Sequence, residues 1–247
     1  MSHIKNVEAF EKLVGICAGY GAQYNPAQRN LQVQNLSSLL SSARSVLQET
    51  GAAKTNHDNA TNAREVAYTG LSQLGLRILS EMRSGGVLSQ TVDDANGMVR
   101  KLTGRHAVSR APVSSEAVTA ALPTSKVPGS KGKRTAIGLD HGSMAQYFEK
   151  LLQTVVAEQA YQPSTTDLKV AALDGRLQTL RTENAGVVQA YALLSEARKK
   201  RNALLYGGSG NLFNTAQAVK QQVRATFGSN SAAFREVRKI RFTKPVK

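Results

Sequence analysis

Two tetrapeptides that each return 138 residues later restrict the fold of this chain more than any other feature. Phe10-Glu11-Lys12-Leu13 recurs as Phe148-Glu149-Lys150-Leu151, and Val99-Arg100-Lys101-Leu102 recurs as Val237-Arg238-Lys239-Ile240, both at an offset of 138. Between these ends the register slips by one residue. Tyr24 and Pro26 pair with Tyr161 and Pro163, Leu36 and Leu40 with Leu173 and Leu177, and Arg64 with Arg201, all at 137. Tyr68 and Tyr206 restore 138. One such tetrapeptide arises by chance, but ordered matches across about a hundred residues do not. A repeat of this length points to a duplicated domain, because solenoid units run only about 20–50 residues.

Within each copy the apolar residues recur with a helical period. Leu173, Leu177, Leu180, Val187, Tyr191 and Leu194 fall on one helical stripe, and Leu36, Leu39, Leu40, Ala43, Val46 and Leu47 form another. No run with period-2 alternation of β-branched and aromatic residues reads as a strand. Helix breaks are expected near Thr50-Gly51, Gly70, Gly85-Gly86, Gly207 to Gly210, and Gly228. Asn25-Pro26 reads as a helix N-cap followed by proline at the first helical position, where its missing N–H is harmless.

The expected fold is therefore all-α: a tandem duplication of an antiparallel four- to five-helix bundle. The first copy is expected over 1–105 and the second over 144–247, each folding independently. Residues 106–143 read as a Pro/Ser/Gly-rich linker. They include Pro112, Pro123 and Pro128, half of the six prolines, and the cations Lys131, Lys133 and Arg134. Such a stretch buries too little apolar surface to offset its ordering entropy, save for a short helix expected over Ser115 to Leu122.

The order Phe-Glu-Lys-Leu, Tyr-Asn-Pro, an Ala-Arg helix, Val-Arg-Lys-Leu and a Pro-rich linker, with the repeat closing on Ile240-Arg241-Phe242-Thr243-Lys244-Pro245, resembles a family of duplicated all-helical proteins common in Bacteroidota. The resemblance spans nearly the whole chain outside the linker. It implies the architecture. That family has no established activity, so the resemblance implies no catalytic residue.

Catalytic chemistry finds little support in the residues. The histidines, His3, His57, His106 and His141, lack an i, i+4 His partner or the Glu spacing of a metal helix, and a solvent-exposed role is expected for them. The single cysteine, Cys17, rules out a disulfide framework and a Cys-rich zinc site. It lies one turn from Leu13 and reads as a buried structural thiol. Asp93-Asp94 is expected near a helix N-terminus, where negative charge is favourable. The segment Gly129 to Thr135 fails the phosphate-loop spacing, since Val127 stands where the first glycine belongs and Arg134 where Ser or Thr belongs. Gly207 to Asn211 reads as an interhelical turn, with an anion held at the following helix as the functional alternative. The expectation is a protein that is not an enzyme and carries no cofactor or metal.

Location follows from similar arguments. No stretch of about 18 apolar residues occurs, so no membrane span is expected. Glu8 and Glu11 precede the apolar Leu13 to Ala22, which does not suit a secretory signal, and a cytoplasmic location is expected.

Charge is the most informative functional feature. Lys and Arg number 32 against 17 Asp and Glu, a net +15. Residues 1–105 carry +3, residues 106–143 carry +3, and residues 144–247 carry +9. The excess gathers at Arg198, Lys199, Lys200 and Arg201, and again at Arg235, Arg238, Lys239, Arg241, Lys244 and Lys247. These ten are the candidate polyanion contacts. With no Trp, 7 Tyr and 6 Phe, base-reading motifs are lacking, whereas tracking a phosphate backbone requires only the cations. The expected function is a non-catalytic binding or scaffold protein whose basic second bundle docks on an acidic partner, DNA or RNA without sequence specificity. The alternative is a structural subunit assembling through helix faces with itself or with a larger protein complex.

Overall fold

Residues 3–103 and 140–244 are described by the computed structural model, and the regular structure among them is entirely helical. Eight α-helices are present among these residues. They are α1 (His3–Gly19), α2 (Val33–Tyr68), α3 (Leu71–Ser84), α4 (Ser89–Leu102), α5 (His141–Ala157), α6 (Val170–Tyr206), α7 (Leu212–Phe227) and α8 (Ala232–Lys239). The expected short helix over Ser115 to Leu122 and the cations Lys131, Lys133 and Arg134 lie outside the described residues. Helix α5 already begins at His141, inside the stretch expected to be linker through 143.

The helices form where the apolar period demands burial. In α1, Val7, Phe10, Leu13, Val14 and Cys17 recur every three or four residues and are all buried. Side-chain caps start α7, where Asn211 Oδ1 accepts from the Asn214 N–H at 2.8 Å, and α8, where Ser231 Oγ accepts from the Phe234 N–H at 3.0 Å. Breaks occur at Gly70, Gly85-Gly86, Gly207 to Gly210 and Gly228. Gly70 and Gly228 have φ of +77° and +90°, a region that disfavours a side chain.

Two expected features differ. Helix α2 does not break at Thr50-Gly51 but runs unbroken for 36 residues, about 54 Å. A mid-helix glycine costs only about 1 kcal/mol. Beside it, Thr50 is buried, and its hydroxyl lies 2.7 Å from the Val46 carbonyl and 3.3 Å from the Ala197 carbonyl of α6, so packing holds the helix there. Asn25-Pro26 does not start a helix either; α2 begins at Val33, after a 3₁₀ turn over Arg29–Leu31. The buried Tyr24 hydroxyl donates to the Leu31 carbonyl at 3.0 Å and folds the intervening residues into a corner. Tyr161 does the same to Leu168 at 2.9 Å ahead of α6.

The compact units do not follow the expected boundaries of 1–105 and 144–247. One unit is Met1–Thr61 with Gly186–Lys247, and the other is Asn62–Ala185. The first unit holds α1, most of α2, the end of α6, α7 and α8, and the second holds the end of α2, α3, α4, α5 and the early part of α6. The physical reason lies in α2 and α6: because neither breaks at mid-length, each begins in one unit and ends in the other. Helical periodicity identifies the buried face of a helix and leaves open which segment covers it.

In the first unit, Phe10, Leu13, Cys17 and Leu36 share a core with Leu205, Leu212, Val219 and Val237. Buried Asn6 ties the C-terminal segment to this core. Its Nδ2 donates to the Tyr206 hydroxyl at 2.9 Å and to the Thr243 carbonyl at 2.7 Å, and its Oδ1 accepts from the Thr243 N–H at 3.1 Å. Lys220 Nζ donates to the Ile240 carbonyl and sits 5.1 Å from the Phe242 ring centroid.

In the second unit, Leu71, Ile78, Met82 and Leu102 share a core with Phe148, Leu151, Leu173 and Leu180. Tyr68, at the end of α2, donates to the His141 carbonyl at 2.7 Å and accepts from Asn184 Nδ2 at 2.7 Å. Arg77 makes a two-point contact with Asp167, at 2.5 and 3.1 Å.

Candidate functional site

The division into units sharpens the charge asymmetry. The first unit carries 17 basic and 6 acidic residues, a net +11, against 15 and 11 in the second. Of the ten candidate contacts, Arg235, Arg238, Lys239 and Arg241 line one depression and Arg198 and Arg201 line another, so the ten are not brought to one place.

The first group is built on α8. Val237 points into the core, while Arg235, Arg238 and Lys239 are exposed at i, i+3 and i+4, one stripe of the helix. Arg241 follows the helix. These four, with Glu236, line an open depression of about 720 Å³. Two contacts brace the stripe: Phe234 packs under Arg224 at 5.8 Å, and Lys220 fastens the segment that follows α8. Lys244 is exposed beyond it, and Lys247 lies outside the described residues.

The second group sits where α1, α2 and α6 meet in the first unit. Arg198 and Arg201, at i and i+3 on α6, line a cleft of about 270 Å³ together with His3, Lys54 and Leu194. Lys199 and Lys200 do not line it; both are exposed, and Lys200 pairs with Glu196 at 3.3 Å. Arg201 is partly buried and, among the described residues, donates to the neighbouring Asn202 side chain, at 2.9 and 3.1 Å. Burial and the adjacent Arg198 charge push its pKa down. No ion pair to Arg198 or Arg201 exists among the described residues. Lys54 pairs with Asp58 at 2.5 Å, and that hydrogen bond holds the Asp58 carboxyl below the usual carboxylate range.

The histidines are less exposed than expected. His3, His57 and His141 are each part-buried against a tyrosine ring, at centroid distances of 5.7, 5.9 and 4.7 Å. His106 lies outside the described residues. A signal for the His3 and His141 contacts was present: they are 138 residues apart, as are their partners Tyr206 and Tyr68. His3 Nδ1 lies 3.0 Å from the Tyr206 hydroxyl, and burial, followed by the Arg201 charge, lowers its pKa. The unfolded chain therefore holds that proton more tightly. Stability is undiminished above the unfolded value of about 6.5 and declines as pH falls through it toward the folded value. His3→Gln is expected to reduce the drop in Tm between neutral and mildly acidic pH. An unchanged drop would remove His3 from the account.

Cys17 is fully buried, and burial pushes its thiol up to about 11, so almost no thiolate forms at neutral pH. Asp93 and Asp94 are exposed in the second turn of α4. In the Gly207 to Asn211 turn, Asn211 itself occupies an N-terminal N–H of α7 and donates to the Gly208 carbonyl at 2.6 Å. Among the described residues no group of three His, Cys, Asp or Glu is placed to hold a metal ion. Nor is any helix among them long and apolar enough to cross a membrane. Compared with family models, curated proteins and solved structures, the chain matches none of them.

Proposed function

We propose that this is a non-catalytic binding or scaffold protein whose basic first unit docks on an acidic partner, nucleic acid without sequence specificity foremost. The α8 stripe carries the reading. Arg235, Arg238, Lys239 and Arg241 are exposed around one open depression, where Glu236 is the single carboxylate among the described residues. Cations at this spacing track successive phosphates and need no base-reading groups. We further read the chain as a tandem duplication. In support, the corner hydrogen bonds of Tyr24 and Tyr161 match, and Tyr206 meets His3 as Tyr68 meets His141.

Binding of random-sequence duplex DNA and of RNA, followed over about 50 to 200 mM salt, tests the reading. The log–log slope is expected to lessen by about 3 to 4 in the combined variant Arg235→Ala, Arg238→Ala, Lys239→Ala, Arg241→Ala, since each duplex phosphate contact contributes about 0.9. Circular dichroism serves as the folding control. No binding at low salt, or an unchanged slope in the variant, would contradict the proposal.

A further inference from the structure

The geometry points to a second, smaller site: the cleft holding Arg198, Arg201 and Lys54 receives one phosphoryl group attached to a small apolar body, a phosphate monoester. It is separate from the α8 stripe and does not depend on it.

The charge within the cleft fits that ligand. Arg198 and Arg201 present two guanidiniums from adjacent turns of α6, and Lys54 adds an ammonium from α2. Among the described residues no carboxylate lines the cleft; Asp58, paired with Lys54, offsets part of one charge from outside it. The remaining excess is near two positive charges, and a phosphate monoester at neutral pH carries about −1.5 to −2. Arginine forks bind such oxygens two at a time, which a lysine pair does not. Burial foremost, and then the Arg198 charge, push the Arg201 pKa down, and an anion seated between the two guanidiniums would offset both.

Size and lining add the rest. About 270 Å³ lies just below the usual 300–1,000 Å³ of small-molecule pockets, and Leu47 and Leu194 give it an apolar wall. Thr50 is not a donor to the ligand, because its hydroxyl proton is directed to backbone carbonyls. The cation set is not a by-product of the repeated fold. At an offset of 137, Tyr191 stands for Lys54 and Thr61 for Arg198, and only Arg64 answers to Arg201. The repeat keeps its long helices without this triad.

Calorimetry on the full chain with phenyl phosphate is the test. Saturable binding is expected, weakened about ten- to a hundredfold by Arg201→Gln, as for loss of a charged hydrogen bond. Lys54→Met is a second variant, for the case that circular dichroism shows Arg201→Gln misfolded. The four-alanine variant of the α8 stripe is expected to bind phenyl phosphate as the parent does, which separates this site from polyanion docking. A 5′-phosphorylated oligonucleotide binding more tightly than its 5′-hydroxyl counterpart identifies a nucleic-acid end as the source. Equal binding of the two, with phenyl phosphate still bound, identifies a free monoester. No saturable binding of phenyl phosphate, or parental affinity in both Arg201→Gln and Lys54→Met, would overturn the inference.

Discussion

Leu205→Ala is expected to expose Cys17 to thiol reagents, although the two residues lie 188 positions apart in the chain. Leu205 on α6 and Cys17 on α1 are both 0 % exposed and share the core of the first unit. Removing a fully buried leucine side chain destabilises by about 2–5 kcal/mol, through lost transfer energy and the cavity left behind. Where opening and closing are fast, labelling follows the population of the open form, so its rate is expected to rise about thirty- to several thousandfold. The native background is low because the thiol is pushed up to about 11. Leu180→Ala is the control. Leu180 is just as buried and lies on the same helix, but it packs in the second unit, and it is expected to raise Cys17 labelling far less. With copies folded as independent bundles over 1–105 and 144–247, neither variant would reach Cys17.

Pairs of residues indicate how much of this could be read beforehand. Phe10 and Phe148, and Leu36 and Leu173, are matched by offset alone, and all four are fully buried. Breaks at Gly70 and Gly228 follow from the conformational freedom of glycine, a local property. Continuity through Gly51 does not, because it depends on Thr50 meeting α6. A helix stopping at Gly51 would end inside the first unit, whereas α2 continues past Thr61 into the second.

The site divides the same way. The i, i+3, i+4 spacing of Arg235, Arg238 and Lys239 is visible in the sequence. Lys54 is not, for beside Asp58 it resembles any surface i, i+4 pair. Its place next to Arg198 and Arg201 arises only when α2 and α6 come together in the first unit.

The central claim is that this first unit, with the cations it carries, is assembled from residues 1–61 together with residues 186–247. Its consequence is large: cutting the chain between these two segments should leave the protein whole. A specific protease site inserted after Gly129, followed by cleavage and size-exclusion chromatography under native conditions, measures this directly. The account predicts that the pieces 1–129 and 130–247 elute together with the helicity of the intact chain and separate only in denaturant. Fragments that part under native conditions, each keeping its own helical structure, would contradict it and establish the two halves of the chain as separate folding units.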